Sequence, residues 1–389
     1  MKIAFDAKRM LNNPTGLGNH ARILLNALMR DYAENEYQLF TPRARDEFFH
    51  QLHGEFAMHF PQTQWAQSLH PWWRSYGITA DLLSAKADLY HGISNELPLN
   101  IHRTNIKTVV TIHDLIFLKH TEQYPWLDRQ FYILKTKYAA RHAHAIIAVS
   151  EETKQDLIKY YAVPSEKIHV IYQSVDQKFY DQISLDEKTI VAKRYNLPRK
   201  YILNVGSFFP RKNQLRLIEA FDLIKDYIVE ALVLVGNSGG MVADIQKQIV
   251  DKKLEHRVHI ITNISNADLP AVYQASSLFV FPSLFEGFGA PVLEAQASGV
   301  PVIATRGGAI GEAAGSHSAF VDPNDSDGIA EKIRLVLKGE TLRSTMITSG
   351  ILHAQTMTDK KFAADTSAIY SQVYFNNKIQ NAVSRVRLY

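Results

Sequence analysis

Short runs of apolar residues alternate with helical patterns along the whole chain. These runs, which are predicted to be buried strands, lie at residues 2–7, 108–114, 145–150, 167–173, 201–206, 231–236, 257–262, 278–283 and 301–305. The stretches between them carry helix-capping residues, as where Ser150 precedes the helix predicted over 153–161. Alternating strands and helices form parallel sheets with right-handed crossovers. The pattern therefore predicts an α/β fold with doubly wound parallel sheets.

One polar stretch, residues 176–200, interrupts this alternation. It shows no strand pattern and contains Pro198, and a new strand begins at Tyr201. The length of 389 residues suits two domains. We therefore predict one domain over residues 1–185 and a second over 186–365, followed by an amphipathic helix.

Composition narrows the classes of function. The chain has no cysteine, which excludes disulfides, thiolate metal sites and cysteine nucleophiles. Lys and Arg exceed Asp and Glu by 43 to 39, a net charge of +4 that is no basic footprint for nucleic acid. The apolar runs are far shorter than the ~18 residues of a spanning helix. We expect a cytoplasmic protein without a nucleic-acid partner.

The segment 281–305 is the most informative part of the sequence. Its loop contains Glu286 and Gly289, and Pro291 begins a predicted helix that carries Glu294. The unpaired N–H groups and the dipole at such a helix start attract anions such as phosphate. The segment therefore predicts a ligand site bordered by two glutamates. In the alternative interpretation, the glycines only form the turn and Glu294 is a solvated or helix-pairing carboxylate.

A basic pair follows the first strand of the second domain. That strand ends at Gly206, and Arg211 and Lys212 are predicted to open the next helix. Two cations at this place can stabilise the charge that develops on a leaving diphosphate. The alternative is ordinary surface charge.

Glycines also precede the first long helix. Gly16, Gly18 and Ala21 fit the G-x-G-x-x-[GA] pattern of dinucleotide-binding proteins. They lie some distance beyond the first strand, however, and no acidic residue follows the second strand, near 37–40, to hold a ribose. An NAD-dependent oxidoreductase is an alternative that depends on these glycines alone, and a helix-capping turn is another.

A histidine lies at the carboxyl end of a predicted strand. His113 and Asp114 end the run 108–114, where ligands of doubly wound sheets bind. His113 is therefore a candidate catalytic residue, oriented by Asp114. The alternative is a structural histidine, because most of the 16 histidines of the chain lie in the first domain.

The string E-G-F-G-A-P-V-L-E-A at 286–295 resembles the signature of the family 4 retaining glycosyltransferases, whose two glutamates have this spacing. The resemblance extends over nearly the whole chain. It implies the GT-B fold, in which two Rossmann-like domains face each other across a cleft. The second domain would bind a nucleotide sugar and the first an acceptor, and the helix over 366–389 would return to the first domain.

The resemblance implies roles for the loop and helix residues of the second domain. Glu286 would contact the hydroxyls of the donor sugar, and Glu294 would accept hydrogen bonds from the ribose. The backbone at Phe288, Gly289 and Ala290 would approach the sugar and the diphosphate. Carboxylates suit a diol and backbone amides suit phosphate.

Further roles follow from weaker motifs of the same family. Arg211 and Lys212, in the stretch that begins at Gly206, would bind the diphosphate, although Ser207 stands where the family usually has arginine. The loop of Gly16 and Gly18 would approach the donor phosphates. His113 would face the sugar near its 6-position.

The reaction implied is transfer of a hexose to an acceptor hydroxyl with retention, which gives an α-linkage. The two cations would replace a metal, so no metal and no cofactor besides the donor is expected. Mannosyltransferase-like bacterial members are the nearest in pattern, which makes GDP-mannose the first donor and a UDP-hexose the second. The acceptor would be a saccharide or a lipid-linked glycan. A same-fold sugar-nucleotide epimerase, which needs no acceptor, is a further alternative.

Two segments, 65–77 and 123–135, are rich in aromatic and basic residues. Aromatic rings suit the faces of sugars, and tryptophan with arginine also suits a membrane interface. Peripheral contact with the inner face of the cell membrane is therefore one hypothesis. The alternative is a flap whose tryptophans pack on the first domain.

Overall fold

The computed structural model describes residues 1–236 and 239–386, without the side chains of residues 64–65 and 376–386. The chain divides into two compact units. Unit 1 comprises Met1–Ser174 together with the chain from Asp359, and unit 2 comprises Val175–Thr358. The boundaries predicted from the sequence were 185/186 and 365/366.

Unit 1 is built on a parallel sheet of seven strands. Its strands are β1 (Lys2–Asp6), β2 (Glu36–Phe40), β3 (Ala57–His59), β4 (Leu89–Gly92), β5 (Lys107–Ile112), β6 (Ala145–Ala148) and β7 (Ile168–Val170). They are arranged in the order β3-β2-β1-β4-β5-β6-β7. The order reverses between β1 and β4, which is the place where doubly wound sheets bind ligands.

Helices cover the faces of this sheet. They are α1 (Lys8–Asn12), α2 (Gly16–Asp31), α3 (Asp46–Phe49), α4 (Gln64–Ser68), α5 (His70–Trp72), α6 (Ile78–Ser84), α7 (Ile116–Lys119), α8 (Trp126–His142) and α9 (Glu151–Tyr161). A π-helical turn over Trp73–Gly77 joins α5 to α6, and short 3-10 turns lie at Ile101–Arg103, Thr121–Gln123 and Ser165–Lys167. Ser150 caps α9 as predicted, because its hydroxyl accepts a hydrogen bond from the Thr153 N–H.

Unit 2 repeats the architecture with six parallel strands. They are β8 (Tyr201–Val205), β9 (Ala231–Val235), β10 (Val258–Ile261), β11 (Leu278–Phe281), β12 (Val302–Thr305) and β13 (Ala319–Val321), in the order β10-β9-β8-β11-β12-β13. The reversal falls between β8 and β11, which pair directly through Ile202 with Leu278 and Leu203 with Phe279. The predicted α/β fold of two Rossmann-like units is confirmed.

The helices of unit 2, and the last helix, which belongs to unit 1, complete the fold. They are α10 (Leu185–Arg194), α11 (Gln214–Ile224), α12 (Val242–Asp251), α13 (Leu269–Gln274), α14 (Ala290–Ala297), α15 (Gly308–Ala314), α16 (Ser326–Lys338), α17 (Glu340–Ala354) and α18 (Asp359–Val386). Short 3-10 turns lie at Gln177–Phe179 and Pro210–Lys212. Residues 387–389 of the helix predicted over 366–389 lie outside the described residues.

Alternation along the strands places side chains on both faces of each sheet. Ile3 and Phe5 of β1 enter one buried cluster of unit 1, whereas Ala4 enters the cluster on the opposite face. Each run predicted as a strand contains one. β3, β4 and β13 were not predicted.

A search of the described residues found no helix that combines the length and the apolar character required to cross a membrane.

Candidate functional site

The loop between β11 and α14 lies at the carboxyl edge of the unit 2 sheet, beside the strand reversal. Gly289 ends the loop with a φ of 132°, a conformation that favours glycine, and a Cβ there would lie 3.2 Å from the Ala313 methyl group. Ala290 and Pro291 then form the first turn of α14. The helix therefore begins where the sequence pattern predicted it, with its N-terminal N–H groups at the sheet edge.

Glu286 forms an ion cluster with the predicted basic pair. Its carboxylate accepts a hydrogen bond from the Arg211 guanidinium and lies 2.6 Å from the Lys212 ammonium. Its side chain is only 11% exposed. Burial alone would raise the pKa of Glu286, but Lys212 and Arg211 outweigh it and the pKa is lowered. The carboxylate is therefore ionised, and with two cations the cluster keeps one net positive charge.

The basic pair does not lie on the helix that was predicted to contain it. Arg211 and Lys212 lie in the separate 3-10 turn Pro210–Lys212, and α11 begins only at Gln214. The reason is Asn213, whose backbone is left-handed with a φ of 60°. Its side-chain amide donates to the carbonyls of Pro282 and Pro323, at 3.0 and 2.6 Å.

This turn and the glutamate loop are joined directly. The Leu284 N–H donates to the Arg211 carbonyl at 2.8 Å, which holds the two segments side by side. Lys212 is buried, lies 4.8 Å above the ring of Phe281, and packs its side chain over Gly206. The cluster therefore has a fixed geometry. Asn213, which joins its parts, was missed by the sequence analysis.

Glu294 has a different environment on the same helix. It is partly buried, and the hydroxyl of Tyr273 donates to one of its carboxylate oxygens at 2.8 Å. Burial raises the pKa of Glu294, and the Tyr273 hydrogen bond offsets only part of this effect. The two glutamates are thus perturbed in opposite directions. Tyr273 is a second residue that no sequence signal indicated.

The remaining unit 2 candidates lie around the start of α14. Phe288 is buried, and Ala290 is the first residue of the helix. Of the unit 2 candidates, four are joined by the contacts described above, namely Gly206, Arg211, Lys212 and Glu286.

In unit 1, the predicted glycines lie in the first turn of α2. A Cβ at Gly18 would overlap the Asn13 carbonyl, whereas one at Gly16 would meet no atom within 4 Å. The backbone N–H and the hydroxyl of Thr15 both donate to the Asn13 side chain at 2.6 Å. The turn folds closely over its own helix, which explains Gly18. Gly16 has no such explanation.

His113 follows β5 and is buried, with a defined tautomer. Its Nε2 lies 2.9 Å from the Ile93 carbonyl, which can only accept, so Nε2 carries the proton. Its Nδ1 lies 3.4 Å from the side-chain amide of Gln173, which donates to it. Burial lowers the pKa of His113 to about 4. The imidazole is therefore neutral, and the single lone pair of Nδ1 faces the Gln173 amide, whereas Asp114 accepts a hydrogen bond from the Ile116 N–H.

Two more buried histidines surround His113. His20 lies edge-on to it, with the ring centroids 4.8 Å apart, and neither of its nitrogens has a hydrogen-bond partner within the described part of the chain. His91 lies within hydrogen-bond distance of the hydroxyls of Tyr370 and Thr111, at 2.7 and 2.8 Å. Burial lowers the pKa of both rings, that of His91 to about 3. The cluster of three histidines is thus uncharged.

The aromatic segments show both packing and exposure. Trp73 is buried, whereas Trp72 and Trp126 are 43% and 67% exposed. The side chain of Trp65 lies outside the described residues. Trp73 therefore packs on unit 1 as the flap hypothesis expects, whereas Trp72 and Trp126 do not.

Two doubly wound units of this kind define the GT-B fold class, and comparisons with known proteins agree. HepE from Anabaena, in complex with UDP and glucose, has a TM-score of 0.74 at 20% identity, covering 96% of this chain and 100% of that one. Sucrose-phosphate synthase from Thermosynechococcus elongatus has a TM-score of 0.77 at 20% identity, covering 97% and 100%. At these identities the likeness concerns the fold alone.

The sequence comparisons identify the family. The model "Glycosyltransferase Family 4" matches residues 14–179, and "Glycosyl transferases group 1" matches 186–353. O-antigen chain mannosyltransferase B of Escherichia coli is 30% identical over 69% of this chain and 70% of its own length. O-antigen chain mannosyltransferase RfbU of Salmonella typhimurium is 28% identical over 56% and 57%. The chain belongs to the family 4 glycosyltransferases, and it is a hexosyltransferase.

Some relatives are much longer than the matched region. The chain spans 32% of the serotype-specific mannosyltransferase WbdA of Escherichia coli, to which it is 30% identical over 265 residues.

Proposed function

We propose that the chain transfers mannose from GDP-mannose to a hydroxyl of a saccharide or lipid-linked glycan, with retention and an α-linkage. The observation that carries the proposal is the cluster of Arg211, Lys212 and Glu286 beside the start of α14. Its net positive charge and the helix N-terminus suit a nucleoside diphosphate. The mannosyltransferases among the relatives favour mannose over other hexoses.

Each charged residue of the cluster then has a role in the reaction. Arg211 and Lys212 hold the diphosphate and stabilise the charge that appears on it as the glycosidic bond breaks. Glu286 keeps lone pairs beyond those that face the two cations, and these accept hydrogen bonds from the sugar hydroxyls. Because two fixed cations supply the positive charge, no metal is needed at the leaving group.

The other unit 2 residues would hold the rest of the donor. The N–H groups that begin α14, around Phe288, Gly289 and Ala290, face the sugar and the diphosphate. Glu294, aligned by Tyr273, accepts hydrogen bonds from the ribose hydroxyls.

The unit 1 candidates would act on the reacting sugar. His113 is neutral and has its proton on Nε2, so a sugar hydroxyl that displaces the Gln173 amide from Nδ1 would donate a hydrogen bond to this nitrogen. The turn of Gly16 and Gly18 lies before α2, and the open space at Gly16 leaves room for a phosphate or a sugar. This role makes His113 a hydrogen-bond acceptor and not a general acid.

A calorimetric titration with GDP-mannose, GDP, UDP-glucose, UDP-N-acetylglucosamine and NAD tests the donor. We expect GDP-mannose to bind and Arg211→Ala and Glu294→Ala to weaken it, each by about tenfold or more. Arg216→Ala is the matched control, because Arg216 pairs with Glu219 on the surface of the adjacent helix. If only UDP-glucose binds, the donor is a UDP-hexose rather than GDP-mannose. If only NAD binds, the result contradicts the proposal.

Product analysis tests the remaining parts of the proposal. NMR of the product formed with a mannose acceptor should show an α-anomeric linkage from the α-linked donor. A β-linked product would contradict retention. Conversion of the sugar nucleotide without an acceptor would favour an epimerase.

We also propose peripheral contact with a membrane through α8. Leu127, Phe131 and Leu134 have helical spacing and are at least 60% exposed, and Lys137 and Arg141 follow on the same helix. Such a stripe suits the interface of an anionic bilayer. Co-sedimentation with vesicles containing anionic lipid should occur and should decrease in Phe131→Ser. Equal recovery with and without vesicles would contradict this contact.

A further inference from the structure

Unit 1 contains a large cavity that neither the histidines nor the glycine turn uses. It has a volume of about 700 Å³ and lies between α6 and the π-helical turn Trp73–Gly77. Its volume is in the range of small-molecule sites. Its lining combines the rings of Trp72 and Tyr76 with polar groups of Thr79, Asp81 and Asn100.

The wall of this cavity is anchored to the carboxyl edge of the unit 1 sheet. Arg74, the second residue of the π-helical turn, pairs with Asp6 at the end of β1 and lies 3.5 Å from Glu96, which follows β4. These two strands flank the reversal of the sheet. Because Asp6 is buried and the side chain of Arg74 is only 10% exposed, the turn is held where a doubly wound sheet binds its ligand.

Further contacts fix the turn in detail. The indole N–H of Trp73 donates to Asp81 at 2.7 Å, and the Leu99 N–H donates to the Ser75 carbonyl at 2.7 Å. The Asn100 amide donates to the Tyr76 carbonyl at 3.1 Å. π-helical turns are rare and frequently lie at functional sites. The cavity wall is therefore already ordered.

Two rings of the wall are presented to solvent. Trp72 and Tyr76 are 43% and 42% exposed, with their centroids 6.1 Å apart and their planes at 34°. The faces of aromatic rings are electron-rich and attract the C–H groups that line one side of a sugar ring. The tilt of the two planes forms a shallow platform rather than a closed stack.

Polar groups of the cavity suit hydroxyls. Asp81 accepts a hydrogen bond from Trp73 and, as a carboxylate, has lone pairs for further donors. Thr79 donates to Asn100 at 2.6 Å, which fixes the orientation of this amide. An acyl chain would desolvate Asp81 without pairing it, at a large cost. The cavity therefore favours a saccharide over a lipid tail.

We propose that this cavity is a saccharide subsite, in which a sugar unit of the acceptor glycan stacks on Trp72 and Tyr76 and donates hydrogen bonds to Asp81. The subsite rests on the proposed function only in assigning the sugar to an acceptor. Binding of the saccharide itself requires no donor and no transfer. A longer acceptor gains a second contact there, which a monosaccharide cannot use together with the reacting position.

Saturation-transfer NMR on the full chain without donor tests the subsite by itself. The probes are mannobiose, mannotriose, cellobiose, maltotriose and chitobiose. We expect at least one to bind, and Trp72→Ala and Tyr76→Ala to weaken it by about tenfold. Trp126→Ala is the matched control, an exposed tryptophan on α8 outside the cavity lining. Binding of none of the probes, or binding unchanged in both cavity variants, would overturn the subsite.

Kinetics separate this result from the donor proposal. With mannose oligomers as acceptors, KM should fall as the acceptor lengthens in the wild-type chain but not in Trp72→Ala, while kcat stays equal. Length dependence retained in Trp72→Ala would overturn the subsite even if transfer occurs. If no sugar nucleotide supports transfer, the proposed function fails, and the NMR result alone decides the subsite. Competition by a detergent and not by any saccharide would show a lipid site instead.

Discussion

The two units share a strand order but differ in the chemistry at the carboxyl edges of their sheets. In unit 2, Arg211, Lys212 and Glu286 form an ionised cluster. In unit 1, burial keeps His20, His91 and His113 neutral. The ionised cluster suits an anion, and the neutral histidines suit hydroxyl groups. The same fold therefore supports two kinds of recognition, and the side chains at the edge decide which.

The largest expected effect concerns the ionised edge. Glu286→Gln leaves two cations without their anion, and breaking a buried pair costs about 3–5 kcal/mol of unfolding free energy. The wild-type pKa of Glu286 is lowered, so its stabilisation is complete above the unfolded value and is lost as pH falls through the folded value. Urea unfolding at several pH values should show the difference between wild type and variant shrinking in acid.

Glu294→Gln is the matched comparison on the same helix. The pKa of Glu294 is raised, so the wild-type chain loses stability as pH rises through the folded value, and the glutamine variant does not. The unfolding free energy of Glu294→Gln, relative to that of the wild type, should therefore increase as the pH rises. That of Glu286→Gln, relative to the wild type, should decrease. The same trend in both variants would show that the two carboxylates do not differ in environment.

The next prediction tests the positive charge of Lys212. Lys212→Met keeps most of the length of the side chain but removes its charge, and we expect kcat to fall by about 100- to 1,000-fold, as for a lost charge-stabilising group. Lys225→Met is the control, because Lys225 pairs with Asp222 on the surface of unit 2. Steady-state kinetics with the donor found by titration provide the measurement. A change in KM alone would mean that Lys212 binds the donor without stabilising the leaving group.

A smaller effect concerns the neutral histidines of unit 1. The pKa values of His91 and His113 are lowered to about 3 and about 4, so their contribution is complete above the usual pKa of histidine, about 6.5, and is lost as pH falls below it. Each ring should lower the unfolding free energy by about 1.4 kcal/mol per pH unit in that window. Urea unfolding between neutral and mildly acid pH measures this slope. His113→Gln should reduce it, and an equal slope in the variant would contradict a buried neutral ring.

Local signals explain what the sequence could predict. Gly289 and Pro291 act within a few residues, so the loop and the start of α14 could be predicted from the sequence alone. Contacts between distant residues could not be predicted in this way. Arg211 and Glu286 are 75 residues apart, and no periodicity or turn signal links them. The family resemblance implied that both residues bind the donor, but it did not imply that they pair with each other.

Two site contacts that the sequence analysis did not predict also join residues that are distant in the sequence. Tyr273 meets Glu294 across 21 residues and Gln173 meets His113 across 60, and each pair depends on how helices and strands pack. Asn213 differs, because its left-handed backbone is a local feature that asparagine tolerates. An asparagine directly after a basic pair could have indicated a turn before α11 rather than a helix start.

The smallest effect tests how the neutral ring is held. Gln173→Leu removes a long hydrogen bond to His113 Nδ1, worth about 0.5–1.5 kcal/mol, so kcat/KM should fall by less than about tenfold. Gln173→Glu instead places an acceptor opposite Nδ1 and favours a proton there, which should raise the pKa of His113 above about 4. NMR titration of the imidazole measures this pKa without reference to activity. If Gln173→Glu leaves it unchanged, the Ile93 carbonyl alone orients the ring, and the neutrality of His113 depends on burial rather than on its amide partner.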